Sequence, residues 1–230
     1  MKEFLTSSVY FGVFISILGF QIGLYCKKKF KASIFNPVLI STAFVMLFLL
    51  LSNIRYETYY AGAQHLTYLL TPATVCLAIP LYKQLPLLKK NAPSILTGIF
   101  SGVAVNFLCI FLLSKWMGFS NQLYVTLLPK SITTAIGIAL AEEFGGIPTI
   151  TIVAIIVTGV FGNIAAESIL RILRVTNPIA RGLAIGTSSH VLGTARALDL
   201  GEVEGATSSL AIVVTGLMTV ALFPLAAPLI

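Results

Sequence analysis

Charge is the scarcest feature of this 230-residue chain. Its 15 Lys and Arg and 8 Asp and Glu make up only 10% of the residues, where soluble domains hold about 25%. With 57% hydrophobic residues and a mean hydropathy of +0.96, so few charges cannot clothe a water-facing surface. That excludes an ordinary cytosolic globule, and the same hydrophobicity excludes disorder. Glycine has no period, which removes collagen. Cysteine is rare too. Cys26, Cys76 and Cys109 lie in or beside apolar stretches without metal-like spacing, so they read as small packing residues rather than staples or ligands. No Gly-x-Ser-x-Gly, His-Glu-x-x-His, Walker or Rossmann pattern occurs, so nothing supports hydrolytic, nucleotide or redox chemistry. The expectation is a protein that is not an enzyme, with no catalytic residue, no metal and no cofactor. The net charge of +7 does not call for nucleic acid, because most of the excess sits in short loops, where Lys and Arg fix membrane topology.

What the chain does have is apolar length. At roughly 20 residues per spanning helix, it holds about six to eight membrane elements. Residues 4–25 form the first run, closed by Lys27-Lys28-Lys29-Phe30-Lys31. A cleaved signal carries its positive charge before the apolar stretch, so this segment is retained with a cytoplasmic end. Run 34–52 returns outward to Arg55-Tyr56-Glu57-Thr58-Tyr59-Tyr60. Run 60–82 comes back to Lys83, Lys89 and Lys90, and Thr71-Pro72 and Pro80 break or kink it midway. Run 94–116 is clean. Run 123–144 is apolar but holds Pro129, Lys130, Glu142 and Glu143, and run 147–173 ends among Arg171, Arg174 and Arg181. Run 179–200 is interrupted by Gly186, His190, Gly193 and Arg196, and 207–228 is a clean final span. If 123–144 crossed the bilayer, the arginine cluster would fall outside, against the positive-inside rule. A re-entrant hairpin restores the rule and makes 179–200 a second hairpin entering from the cytoplasm. The expected fold is an all-α polytopic membrane protein with about six transmembrane helices plus two re-entrant or broken helical elements.

Those two elements overlay at a shift of 56 residues without a gap. Ser131 meets Thr187, Thr133 meets Ser189, Gly137 meets Gly193, Ala139 meets Ala195, Ala141 meets Ala197, Glu143 meets Asp199 and Gly145 meets Gly201. One span lies between the copies, so they enter from opposite faces. That is an inverted repeat of discontinuous elements, the arrangement many secondary transporters build around a midplane site.

Lys130 stands eight residues into an apolar stretch, between Pro129 and Ser131-Ile132-Thr133-Thr134. A Lys at the bilayer centre costs about 2.5–3.5 kcal/mol on insertion scales. Either it lines a wet cavity and pairs with a substrate carboxylate, or it snorkels to the outer interface. The stretch Gly186-Thr187-Ser188-Ser189-His190-Val191-Leu192-Gly193-Thr194-Ala195-Arg196 packs four hydroxyls, a His and an Arg between apolar residues. An irregular Gly-Thr-Ser-Ser turn followed by a half-helix from near Ser188 would aim backbone N–H groups at an anion. His190 is then a pH-sensitive donor or a hydrogen-bonded structural residue. Glu142 and Glu143 are solvated hairpin ends, a gate or cation-coordinating groups, as are Asp199, Glu202 and Glu204; Arg196 marks a rim. Asn163 and Glu167, one turn apart, form a polar pair suited to a neighbouring broken helix.

Three stretches together resemble one family. They are Thr71-Pro72-Ala73-Thr74 through Ala78-Ile79-Pro80-Leu81-Tyr82, Leu128-Pro129-Lys130-Ser131-Ile132-Thr133-Thr134 with Gly145-Gly146-Ile147-Pro148, and Gly186-Thr187-Ser188-Ser189-His190 with Gly205-Ala206. In this order they resemble the bacterial LrgB/CidB membrane proteins over nearly the whole chain. The resemblance implies a multi-pass protein of the bacterial cytoplasmic (inner) membrane, working beside a smaller LrgA/CidA-type partner and forming a homo-oligomer, a dimer. It also implies one of two functions: an antiholin- or holin-like regulator of murein hydrolases and autolysis, or, as in a related plastid glycolate/glycerate translocator, carboxylate transport. Within a single integral membrane domain over 1–230, residues 1–58 form a helix pair, a peripheral or dimerisation scaffold, and 59–230 form the LrgB-like transport core. A holin has no use for hydroxyl-rich broken elements around a Lys and a His, so a transporter of small monocarboxylates, of the pyruvate, glycolate and glycerate class, is the expectation. The candidate substrate-binding residues are Thr71, Lys130, Ser131, Thr133, Thr134, Asn163, Thr187, Ser188, Ser189, His190 and Thr194, with Glu142, Glu143 and Arg196 as gate or rim candidates.

Overall fold

The computed structural model describes Ser8, 10–30, 37–69, Pro72, 75–76 and 78–230. Among these residues every regular element is a helix. Four helices are long and apolar enough to cross a membrane: Phe11–Phe30, Ala92–Met117, Pro148–Ile172 and Glu202–Leu229. The chain divides into two compact units, Met1–Cys76 and Leu77–Ile230.

The first unit holds α1 (Phe11–Phe30), α2 (Pro37–Leu51) and α3 (Tyr56–Ala63), followed by a 3-10 turn over Gln64–Leu69. Gly19 and Gly23 let α1 approach Ser41, Phe44 and Pro37, and Gly12 lies against the backbone of Tyr59 and Ala63. Ser16 and Tyr59 share a hydrogen bond of 2.7 Å across the α1–α3 contact. Residues 59–69 therefore pack with the N-terminal helices, and the unit extends past the boundary expected at residue 58. Of the expected span over 60–82, the described residues include the end of α3, the 3-10 turn and α4 (Ala78–Lys83), while residues 70–71, 73–74 and 77 lie outside the described residues.

The second unit continues through α5 (Leu85–Lys90) to α6 (Ala92–Met117), which has Pro93 in its first turn and a left-handed Gly118 as its stop. Next come α7 (Asn121–Leu127), α8 (Thr134–Glu143), α9 (Pro148–Ile172), α10 (Pro178–Leu200) and α11 (Glu202–Ala226). The sequence treated Glu202 and Glu204 as a hairpin tip. They form the first turn of α11, where acidic side chains favour the helix dipole, and Glu204 is buried on Arg181 at 3.3 Å. At one end of the unit α6 starts, α9 stops among Arg171 and Arg174, and α11 starts. This is the arginine end.

Both interrupted elements fold back on themselves. α7 begins at the opposite end, where Asn121 donates to the carbonyls of Ala227 and Ile230 and Tyr124 Oη to that of Ala226. After the 128–133 break, α8 returns to the same end. Phe144 meets Phe223 at 4.9 Å, and Thr126 accepts from Ile147 N at 2.8 Å and, through its carbonyl, from Thr151 Oγ1 at 2.9 Å. α10 enters from the arginine end and reverses at His190, whose φ of 42° and ψ of −139° interrupt the helix. A Cβ on Gly193 would lie 3.1 Å from the Ile185 carbonyl oxygen, a proximity that eight residues of straight helix do not allow. Both arms lie on α11. Gly186 sits on Ser208 and Ala211, Thr194 Oγ1 meets Ser208 Oγ at 2.7 Å, and Leu198 covers Gly205.

The expected turn at Gly186-Thr187-Ser188-Ser189 is helical instead. Thr187 and Ser188 donate to the Leu183 and Ala184 carbonyls, both at 2.7 Å, so their hydroxyls are satisfied within the helix. Gly186 serves close packing on α11.

Candidate functional site

The tips of the two hairpins lie beside one cavity. Pro129 denies the chain a backbone donor, and the broken segment 128–133 is held by Asn106 from the middle of α6. Its Nδ2 donates to the Leu128 carbonyl at 3.1 Å, and its Oδ1 accepts from Ser131 Oγ at 3.2 Å. Ser131 is buried and accepts in turn from Lys130 Nζ at 3.2 Å. Lys130 then borders a cavity of about 220 Å³ between α9 and the first arm of α10, together with Thr158, Gly162, Ser188 and Ser189. The remainder of the lining is apolar. Among the described residues Lys130 has no carboxylate partner. Its hydrogen bond goes to the Ser131 hydroxyl.

Ser188 and Ser189 share a hydrogen bond of 3.0 Å, and Ser189 packs directly on Gly162, where any Cβ would overlap it. His190 stands behind this tip and does not line the cavity. Only 4% exposed, it donates from Nε2 to the Ile155 carbonyl at 3.0 Å, with its ring pressed on Gly159. Thr194 Oγ1 donates to the His190 carbonyl at 2.9 Å. A non-glycine residue at this φ carries about 1–3 kcal/mol of strain. These two contacts hold it there.

The other sequence candidates disperse around this centre. Thr187 faces Gly102 of α6 and lines a separate cleft of about 550 Å³ with Asn91, Ser94 and Asn177. Thr194 lies fully buried in the α10–α11 seam. Thr133 occupies the N-cap position of α8 without a side-chain capping bond, and Thr134 opens that helix. Asn163 donates to the Leu192 carbonyl at 2.6 Å, and Glu167 one turn on pairs with Arg196. The second arm of α10 is thereby anchored to α9, and Arg196 also reaches Asp199 at 3.6 Å. Glu142 and Glu143 are exposed at the end of α8. Thr71 lies outside the described residues.

The model of the LrgB-like family matches residues 16–229. The chain belongs to that family. The match covers both folded-back elements and all the candidate residues. No solved structure matches the chain.

Sequence reasoning missed Asn106, Thr126 and Thr158. Asn106 offered a signal, as a lone amide in the middle of an apolar 26-residue helix. Thr126 and Thr158 offered none, because a Thr in an apolar helix commonly satisfies itself on its own backbone.

Proposed function

We propose that this LrgB-like protein transports small monocarboxylates, the pyruvate, glycolate and glycerate class, and that its site is the cavity between the hairpin tips. One observation carries the proposal. Lys130 meets the cavity with hydroxyl neighbours and no carboxylate partner, although an intramembrane cation is costly unless something compensates it. A carboxylate supplies that compensation, with Ser188 and Ser189 beside it, and a volume of about 220 Å³ suits an anion of a few heavy atoms. Charge pairing is assigned to Lys130, with Ser188 and Ser189 lining the cavity beside it, and positioning to Asn106, Ser131 and His190.

In this reading the protein sits in the bacterial cytoplasmic membrane with six spans. The hairpins over 121–143 and 178–200 enter from opposite faces as an inverted repeat. Support comes from the offset of 56 residues, which carries α8, Thr134–Glu143, onto the second arm of α10. A homodimer and a smaller LrgA/CidA-type membrane partner complete the assembly. The test is uptake of labelled pyruvate, lactate, glycolate and glycerate into proteoliposomes, with and without that partner. Saturable uptake that Lys130→Met abolishes is the expected result. Lysis-type leakage of every solute alike, indifferent to Lys130, would favour the antiholin- or holin-like role.

A further inference from the structure

We infer that the cleft bounded by Arg171, Arg174 and Arg181 binds the phosphate headgroup of an anionic phospholipid. The cleft, about 530 Å³, forms where α9 ends and the chain turns into α10. Three guanidinium groups line it against a single carboxylate, Glu167. Two of them pair with carboxylates, the exposed Arg171 with Glu167 at 3.0 Å and the part-buried Arg181 with Glu204 at 3.3 Å. The third, Arg174, sits at a φ of 55° in the turn and forms no ion pair among the described residues. Arg181 also keeps a buried Nε without a protein acceptor. The cleft thus offers a net positive lining with unused donors, and planar guanidinium groups match phosphate oxygens in pairs.

The surface beside the cleft decides between a lipid and a soluble anion. Ile169, Ile172 and Leu173 at the end of α9 are 45%, 78% and 66% exposed. The acyl chains of a lipid whose phosphate sits in the cleft can run along these side chains, whereas a soluble phosphate gains nothing from them. Basic pockets between helices at the membrane surface recognise lipid headgroups in this way. The inference depends on membrane insertion and not on the transport proposal, although Ile169 and Leu170 also line the cavity assigned to transport.

The purified full-length protein, analysed by native mass spectrometry with phosphatidylglycerol and phosphatidylcholine, tests it. Native protein should retain phosphatidylglycerol in preference. Retention should fall about fivefold in Arg174→Gln and on the order of twentyfold when Arg171→Gln is added, while Arg174→Lys keeps most of it. Lys89→Gln with Lys90→Gln removes as many exposed charges outside the cleft and should change nothing. Arg174→Gln breaks no ion pair, so it stays informative even if the double variant misfolds. Equal retention of the two lipids by native protein would overturn the proposal. So would an equal loss in the lysine pair, which means diffuse surface charge, or undiminished retention in Arg174→Gln. Thermal protection by inorganic phosphate without lipid retention would also overturn it, in favour of a soluble anion.

Discussion

Gly159→Ala is the sharpest packing test of the reversal at His190. A methyl group there would stand 2.6 Å from both Cε1 and Nε2 of His190 and 2.9 Å from Leu192 Cδ1. To restore an ordinary 3.4 Å contact from 2.6 Å, the imidazole must withdraw by about 0.8 Å. Its Nε2 already lies 3.0 Å from the Ile155 carbonyl, one turn earlier on the same helix. Withdrawal therefore breaks that bond and leaves the buried His190 Nε2–H without an acceptor, at about 1–3 kcal/mol, while the Ile155 carbonyl keeps its intrahelical bond from Gly159. Compression of the surrounding packing adds about 1–3 kcal/mol. The expected loss is about 2–6 kcal/mol, read from unfolding of the purified protein in detergent. The mechanism requires that His190→Ala, which removes the ring, also relieve the methyl. In that background the cost of Gly159→Ala should fall by more than about 1 kcal/mol in a double-mutant cycle. A native-like Gly159→Ala, or a cost that persists without the ring, would refute the reasoning.

Three further outcomes follow from the same geometry. Asn106→Leu strips the Leu128 carbonyl and the Ser131 hydroxyl of their partner, so it should cost about 1–3 kcal/mol and raise amide hydrogen exchange selectively over 128–133; unchanged exchange there would count against the clamp. Lys130→Met removes one weak hydrogen bond and one embedded cation, so the folded protein should be as stable as native or slightly more so, whereas a clear loss of stability would mean Lys130 is structural. Because His190 lies behind the cavity lining with Nε2 committed to Ile155, His190→Gln should keep the native pH profile of uptake, and a flattened profile would restore His190 as a titrating member of the site.

Much of the architecture was legible because the membrane enforces it. Apolar length marked α6, α9 and α11, and the arginine cluster after α9 required an even return before it, hence the fold-back over 121–143. Pro129 and Lys130 marked the first break by chemistry that a plain helix does not tolerate. The second break was placed a few residues early. Gly186, Thr187, Ser188 and Ser189 are turn formers by type, yet two of their hydroxyls bond within the helix and Gly186 answers to close packing on α11. The reversal falls on His190 because its ring finds a carbonyl 35 residues away in sequence, a partner no local pattern contains. Asn106 was hidden for the same reason, since its acceptor and donor lie on another element 22 to 25 residues later. Glu204 read as solvated because Arg181, its partner, lies 23 residues earlier, near the start of the second hairpin.

Equilibrium binding of a labelled small monocarboxylate to the purified protein measures the cavity's role most directly, free of any question of partner, direction or coupling. Native protein should bind it saturably, with unlabelled monocarboxylates of similar size competing. Removing one member of a buried charge pair costs about 2–5 kcal/mol, so Lys130→Met should weaken binding by roughly thirtyfold or more. Ser188→Ala with Ser189→Ala should weaken it less. Saturable binding that survives Lys130→Met undiminished, or none at all in the native protein, would contradict a carboxylate site between the hairpin tips.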